Sequence, residues 1–277
     1  MDRSADTLLH LTGGVDATVR LPTPMPRTGT VPVVILCPDL ARPSPSSAGA
    51  GSETGSGTGS DTGSETGSGT GPATGANDDD GITALDWLDA ELAAQFGAER
   101  HAVARLEAAG GGRPVDAAGL VAALEAAPRE LASPPLDAAR ATVVAIGLAA
   151  TAAAAAASAW LPSTRLVLVA PLAVEQAIRR LERRGDQPAT REAAMRILAS
   201  LGPLQRLVAT PRQTLVVHAA ADADAVGHAA PYVAALRSLN APVQYGMLAF
   251  AGPDGGDDAT RAALAEEIAA FVMEAPR

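Results

Sequence analysis

Lysine is absent from this chain, and all 21 of its basic residues are arginine. With the heavy use of alanine, glycine and proline, this is the mark of codon bias in a GC-rich genome. Aromatic residues are also scarce, 3% of a chain that is 47% hydrophobic, so the core must be built from Ala, Leu and Val with few large anchors. No basic excess exists. The 31 acidic residues leave a net charge of −10, which removes nucleic acid from the expected partners, because phosphate binding needs a basic surface. Cys37 is the only cysteine, so no intramolecular disulfide can form and no cysteine cluster can hold a metal. Glycine-rich phosphate loops, dinucleotide fingerprints and metal-ligand spacings are missing too. No cofactor and no metal are therefore expected.

Long apolar runs are nearly absent. The opening residues, MDRSADTLLHLTGG, contain no stretch suited to a signal peptide. Residues 141–164 carry no charge and are long enough to cross a bilayer. Alanine is only marginally apolar, however, and Gly147 and Pro162 interrupt the run, which argues against insertion. The expectation is a cytoplasmic chain with no membrane partner.

What is present falls into three stretches. Residues 51–70 read GSET-GSGT-GSDT-GSET-GSGT, five copies of a Gly-Ser-x-Thr unit. Such composition buries too little apolar area to offset its ordering entropy, so 44–80 reads as a disordered linker. It separates residues 1–43 from 81–277, which together are long enough for one domain.

Thr7–Leu11 and Ala17–Leu21 read as strands around a Gly13-Gly14 turn, and Val31–Leu36 as a buried strand. The spacing of Leu85, Leu88, Leu92, Phe96 and Val103 predicts one amphipathic helix over 82–106. A second is expected over 116–127, stopped by Pro128. Strands at 142–146, 165–169, 214–217 and 243–250 then alternate with helices at 149–160, 173–207, 227–239 and 258–273. That alternation predicts an α/β fold, a mostly parallel sheet with helices on both faces.

Four segments in this order resemble the α/β-hydrolase superfamily, and within it dienelactone-hydrolase-type proteins. PVVILCPDL resembles the strand that precedes the oxyanion loop. TVVAIGLAAT stands where strand and nucleophile elbow stand, QTLVVHAAADADAV resembles the segment bearing the catalytic acid, and LNAPVQYGMLAFAGPDGG the last strand and histidine loop. The resemblance covers residues 7–43 and 140–275. It implies a nucleophile on a sharp strand-to-helix turn, a histidine base, a carboxylate that orients it, and two backbone N–H groups aimed at an oxyanion.

Carried over by position, the nucleophile place falls on Ala149, which has nothing to attack with. The acid place falls on Asp222, with Asp224 beside it. The histidine place falls on Pro253 or Asp254, and no histidine occurs in 251–258. The oxyanion donors would be the amides of Ala150 and of Asp39 or Leu40. Two of three catalytic side chains are therefore missing, and the resemblance implies a hydrolase-type protein with an impaired site, retained as a binder of a small molecule or a partner.

Other readings stay open beside it. An active hydrolase of small esters or lactones would need another nucleophile, Ser158 or Cys37, near His218 or His228. His218, at a strand end, and Cys37 read otherwise as packing residues, His228 as a helix-start residue, and Thr151 as a hydroxyl without an evident base. Arg179, Arg180, Arg183 and Arg184 form the one basic cluster, which with the repeat as tether would suit an interaction protein.

Overall fold

The computed structural model describes residues 6–25, 30–38, 86–98, 101–109, 116–160, 163–173, 207, 213–219, 223–239, 241–248 and 258–274. The expected linker, the arginine cluster and nearly all of the expected helix at 173–207 lie outside these residues.

Eight strands form one sheet in the order β1-β2-β4-β3-β5-β6-β7-β8. They are β1 (Thr7–Leu11), β2 (Val15–Arg20), β3 (Val31–Cys37), β4 (Ala102–Ala108), β5 (Leu136–Ile146), β6 (Arg165–Val169), β7 (Thr214–Ala219) and β8 (Val243–Leu248). The β1–β2 and β2–β4 pairs are antiparallel, and every later pair is parallel. Helices α1 (Asp86–Ala98) and α5 (Asp258–Met273) cover one face; α2 (Ala117–Glu130), α3 (Leu148–Ala156) and α4 (Ala223–Ser238) cover the other. The α/β expectation, with helices on both faces of a mostly parallel sheet, matches this architecture.

Alternation within the central strands assigns the two cores. In β3, Val33, Ile35 and Cys37 join the core under α2 and α3, while Val34 and Leu36 join the core under α1 and α5. A strand buried on both sides needs a continuous apolar run, which VPVVILC supplies. Pro32 lacks an amide hydrogen and sits where the β3–β5 register shifts, so it interrupts the ladder at a bulge.

The single helix expected over 82–106 is two elements. Helix α1 ends at Ala98 and β4 begins at Ala102, so Val103 is a strand residue. The helical spacing that reaches Val103 coincides with a strand alternation, because alanine is compatible with either pattern. Pairing decides: β4 is held between β2 and β3, with Ala102, Ala104 and Leu106 buried on one face and Val103 on the other.

Pro128 does not stop α2 as expected; it lies inside the last turn. Its missing N–H leaves the Leu124 carbonyl without its helical donor. The indole Nε1 of Trp160 donates to that carbonyl at 2.8 Å. A buried chain break in the ladder is thereby satisfied from another element.

At the opposite end of the sheet from the strand C-termini, Arg165 opens β6 and is buried. Its guanidinium donates to the carbonyls of Phe271 (3.0 Å), Val272 (2.9 Å) and Glu274 (2.6 Å), and to the Gln213 side chain. It also lies 5.4 Å from the Phe271 ring centroid. A cation on the last carbonyls of α5 complements the negative end of that helix. Among the described residues, no helix is long and apolar enough to cross a membrane.

Candidate functional site

In open parallel sheets, ligands bind beyond the carboxyl ends of the strands. Here that edge holds two unusual backbone conformations side by side. Gly147, between β5 and α3, has φ 63° and ψ −125°. Ala170, the residue after β6, has φ 50° without being glycine. The pairings Ile146–Val169 and Val169–Val217 set Gly147, Ala170 and His218 level across three neighbouring strands.

The sharp turn is therefore centred on Gly147, not on Ala149. Only glycine adopts φ and ψ of this kind without strain, and another residue would cost about 1–3 kcal/mol. The Gly147 N–H donates to the Val169 carbonyl at 2.9 Å, fixing the turn to β6. Ala145 and Ala149 are the small residues two before and two after the apex. Ala149 stands in the first turn of α3, wholly buried, and Ala150 is wholly buried beside it. The frame expected from Gly147 to Thr151 is thus displaced by two residues from the turn itself.

Helix α3 is almost pure alanine, and its residues from 149 to 156 are buried. Alanine has the highest helix propensity and the smallest side chain above glycine. Such a helix can sit deep between the sheet and α2, which holds the apex on a fixed support. Thr151 is the one hydroxyl in this helix. Its Oγ1 donates to the Leu172 carbonyl at 3.1 Å and lies 2.9 Å from the Leu172 N–H, which donates to it. The Tyr232 hydroxyl, from α4, donates to the same carbonyl at 2.8 Å. Burial pushes the Tyr232 phenol well above its ordinary range, with the Thr151 hydrogen bond acting weakly the other way.

His218 and His228 are both buried. The His218 Nε2 is hydrogen-bonded with the Tyr245 hydroxyl of β8, with ring centroids 5.3 Å apart. Burial raises the Tyr245 phenol pKa. The Ala173 N–H donates to His228 Nδ1 at 3.1 Å, so that nitrogen is the unprotonated one.

Of the alternative nucleophiles, Ser158 is set apart from the Gly147 turn and Cys37 from His218. Ser158 lies eleven residues past Gly147, about 16 Å along the helical stretch at 1.5 Å per residue. Cys37 is buried at the end of β3, its thiol directed at the Pro38 carbonyl at 3.8 Å. With β5 and β6 between β3 and β7, Cys37 and His218 stand about 14 Å apart at ordinary strand spacing. Asp222, Asp254, Pro253, Asp39 and Leu40 lie outside the described residues, as does the side chain of Asp224. Among the described residues, no group of three His, Cys, Asp or Glu side chains is placed to hold a metal.

Sequence reasoning passed over Gly147 as the apex, and with it Ala170, Tyr232 and Tyr245. The signal for Gly147 was available: Ala145-x-Gly147-x-Ala149 carries small residues at both flanks and, at its centre, the residue that accepts a positive φ.

The strand order, the parallel core of the sheet and the sharp strand-to-helix turn after β5 define an α/β-hydrolase fold. Solved structures agree. Over 98% of this chain and 99% of that one, the structure resembles DcsB, solved with a substrate analogue, at a TM-score of 0.59 and 14% identity. An α/β serine hydrolase without a lid from Xanthomonas campestris gives 0.53 at 16% identity, over 100% of this chain and 99% of that one. A dipeptidyl peptidase 4 from Porphyromonas gingivalis gives 0.57 at 15% identity over 98% of this chain, which spans 35% of that protein. No family model matches the chain, and no curated protein matches it by sequence.

Proposed function

We propose that this protein is a hydrolase-fold binder whose ester-cleaving site has lost its nucleophile, with Gly147 at the nucleophile position. The observation that carries this reading is the backbone of Gly147. Its φ of 63° and ψ of −125° at the strand-to-helix apex form the sharp, strained turn that projects a serine in working enzymes of this fold. With glycine there, no atom can attack a carbonyl.

Moving the apex from Ala149 to Gly147 moves the oxyanion donor as well. The amide after the apex is Leu148, whose residue is half-buried, in place of Ala150. The second donor remains an amide after β3, at Asp39 or Leu40. Asp222 keeps the acid position and Asp254 the histidine position, so the base is missing along with the nucleophile. Such a site would still hold an acyl or carboxylate-like group by its amides, but a lost triad leaves only residual acceleration. The separation of Ser158 from the Gly147 turn, and of Cys37 from His218, speaks against a substitute catalytic pair. The finer likeness to dienelactone-hydrolase-type proteins rests on the order of the four sequence segments, and suggests small esters or lactones as the ancestral substrates.

The test is turnover of p-nitrophenyl acetate by the wild type and by a Gly147→Ser, Asp254→His double variant. The wild type should stay at the uncatalysed rate, and the double variant should gain about 10²-fold, the usual scale of a restored general base. Wild-type turnover well above background would overturn the reading.

A further inference from the structure

The four residues after β6, Ala170 to Ala173, are held by more hydrogen bonds than a short connection needs. The Ala170 N–H donates to the Val217 carbonyl at 2.8 Å. Leu172 is tied at both its N–H and its carbonyl to Thr151, and at its carbonyl also to Tyr232. The Ala173 N–H ends on His228 Nδ1. Three elements, β7, α3 and α4, thus hold one short segment. Thr151 stands on the first turn of α3, four residues past the apex, so the segment is fastened across the turn that carries Gly147.

The segment is also under tension. Ala170 keeps a φ of 50° that an alanine leaves when free to do so. Side-chain bonds thus hold in place a segment whose first residue carries backbone strain. Both Thr151 and Tyr232 bonds converge on the single Leu172 carbonyl, so losing either loosens the same point.

We propose that Ala170–Ala173 is a strap that controls access to the Gly147 apex, with Thr151 and Tyr232 as the positioning residues that hold it closed. The proposal rests on the reading of Gly147 as the apex. Gly147 is itself buried, as a closed strap requires.

Iodoacetamide alkylation of a Gly147→Cys variant, made in a Cys37→Ala background, measures that access directly. Adding Thr151→Val or Tyr232→Phe should raise the alkylation rate at least about 10-fold at constant pH. Adding Thr151→Ser, which preserves the hydroxyl, should leave the rate within a factor of about two, and melting curves on each variant establish that it is folded. Equal rates in the Val, Phe and Ser variants, with a reactive thiol of lowered pKa, would overturn the strap and leave the apex reading intact. A thiol unreactive in every background would overturn both. Conversely, if Thr151→Val fails to fold, the Tyr232→Phe rate alone decides between the same outcomes.

Discussion

The two ends of the β-sheet are built on opposite terms. At the strand N-termini, the buried Arg165 donates to fixed acceptors, three of them carbonyls at the end of α5. No positive φ occurs there among the described residues, although the buried hydroxyls of Thr164 and Thr214 have no hydrogen-bond partner. At the strand C-termini, Gly147 and Ala170 stand level with one another at positive φ, and side chains from α3 and α4 hold Leu172 two residues further on. One end uses charge to lock a helix to the sheet, while the other holds strain in place where a ligand would arrive. Strain of this kind persists only where the surroundings over-determine it, and it gathers at functional sites. The difference points to the same edge of the sheet as the proposed site.

The largest effect expected from breaking this contrast is at the quiet end. Arg165→Met should destabilise the protein by about 3–5 kcal/mol in urea unfolding, because the α5 carbonyls lose a charged donor and remain buried. A loss below about 1 kcal/mol would mean that the cap is dispensable and that the two ends do not differ as described. A smaller effect is expected where α2 meets the end of α3. Trp160→Phe removes the donor to the Leu124 carbonyl and should cost about 1–3 kcal/mol. Adding Pro128→Ala restores a helical N–H for that carbonyl, so the double variant should recover about 1 kcal/mol or more. Purely additive losses would contradict the link between Pro128 and Trp160.

The smallest effect lies on the β1–β2 hairpin, away from both ends. Arg20 donates two hydrogen bonds to Asp6, each 3.1 Å, and holds its carboxyl below the ordinary 3.8. A carboxyl with a depressed folded pKa adds stability above its unfolded pKa and loses it as the pH falls through the folded value. Both side chains are substantially exposed, so Asp6→Asn should cost under about 0.5 kcal/mol at pH 7. The difference from wild type should vanish in acid, once the pH is below the folded pKa.

Much of the fold was legible in the sequence because parallel strands buried on both faces must be apolar throughout. VPVVILC and RLVLV announce themselves, and the strand at Thr7–Leu11 and the helix at 258–273 fall where the pattern places them. Strand β4 was hidden because Ala102, Ala104 and Ala108 carry no strand preference, and only its neighbours in the sheet recruit it. The turn after β5 was legible in its place but not in its register. Alanine and glycine at 145, 147, 149 and 150 give several small-residue frames, and the choice between them lies in φ and ψ, which composition does not report. The strap was out of reach for a related reason: Thr151 and Tyr232 are eighty-one residues apart, and meet only at the Leu172 carbonyl.

On the proposed function, position 147, and not 149, is where this fold would place its reacting atom. The most direct test compares the pH profile of iodoacetamide alkylation for Gly147→Cys and Ala149→Cys, each in a Cys37→Ala background. A thiol at the apex, at the N-terminus of α3, should titrate below the ordinary value of about 8.5. One at position 149, buried in the helix, should stay unreactive until the protein unfolds. A fast, low-pKa thiol at 149 with an inert one at 147 would contradict the account.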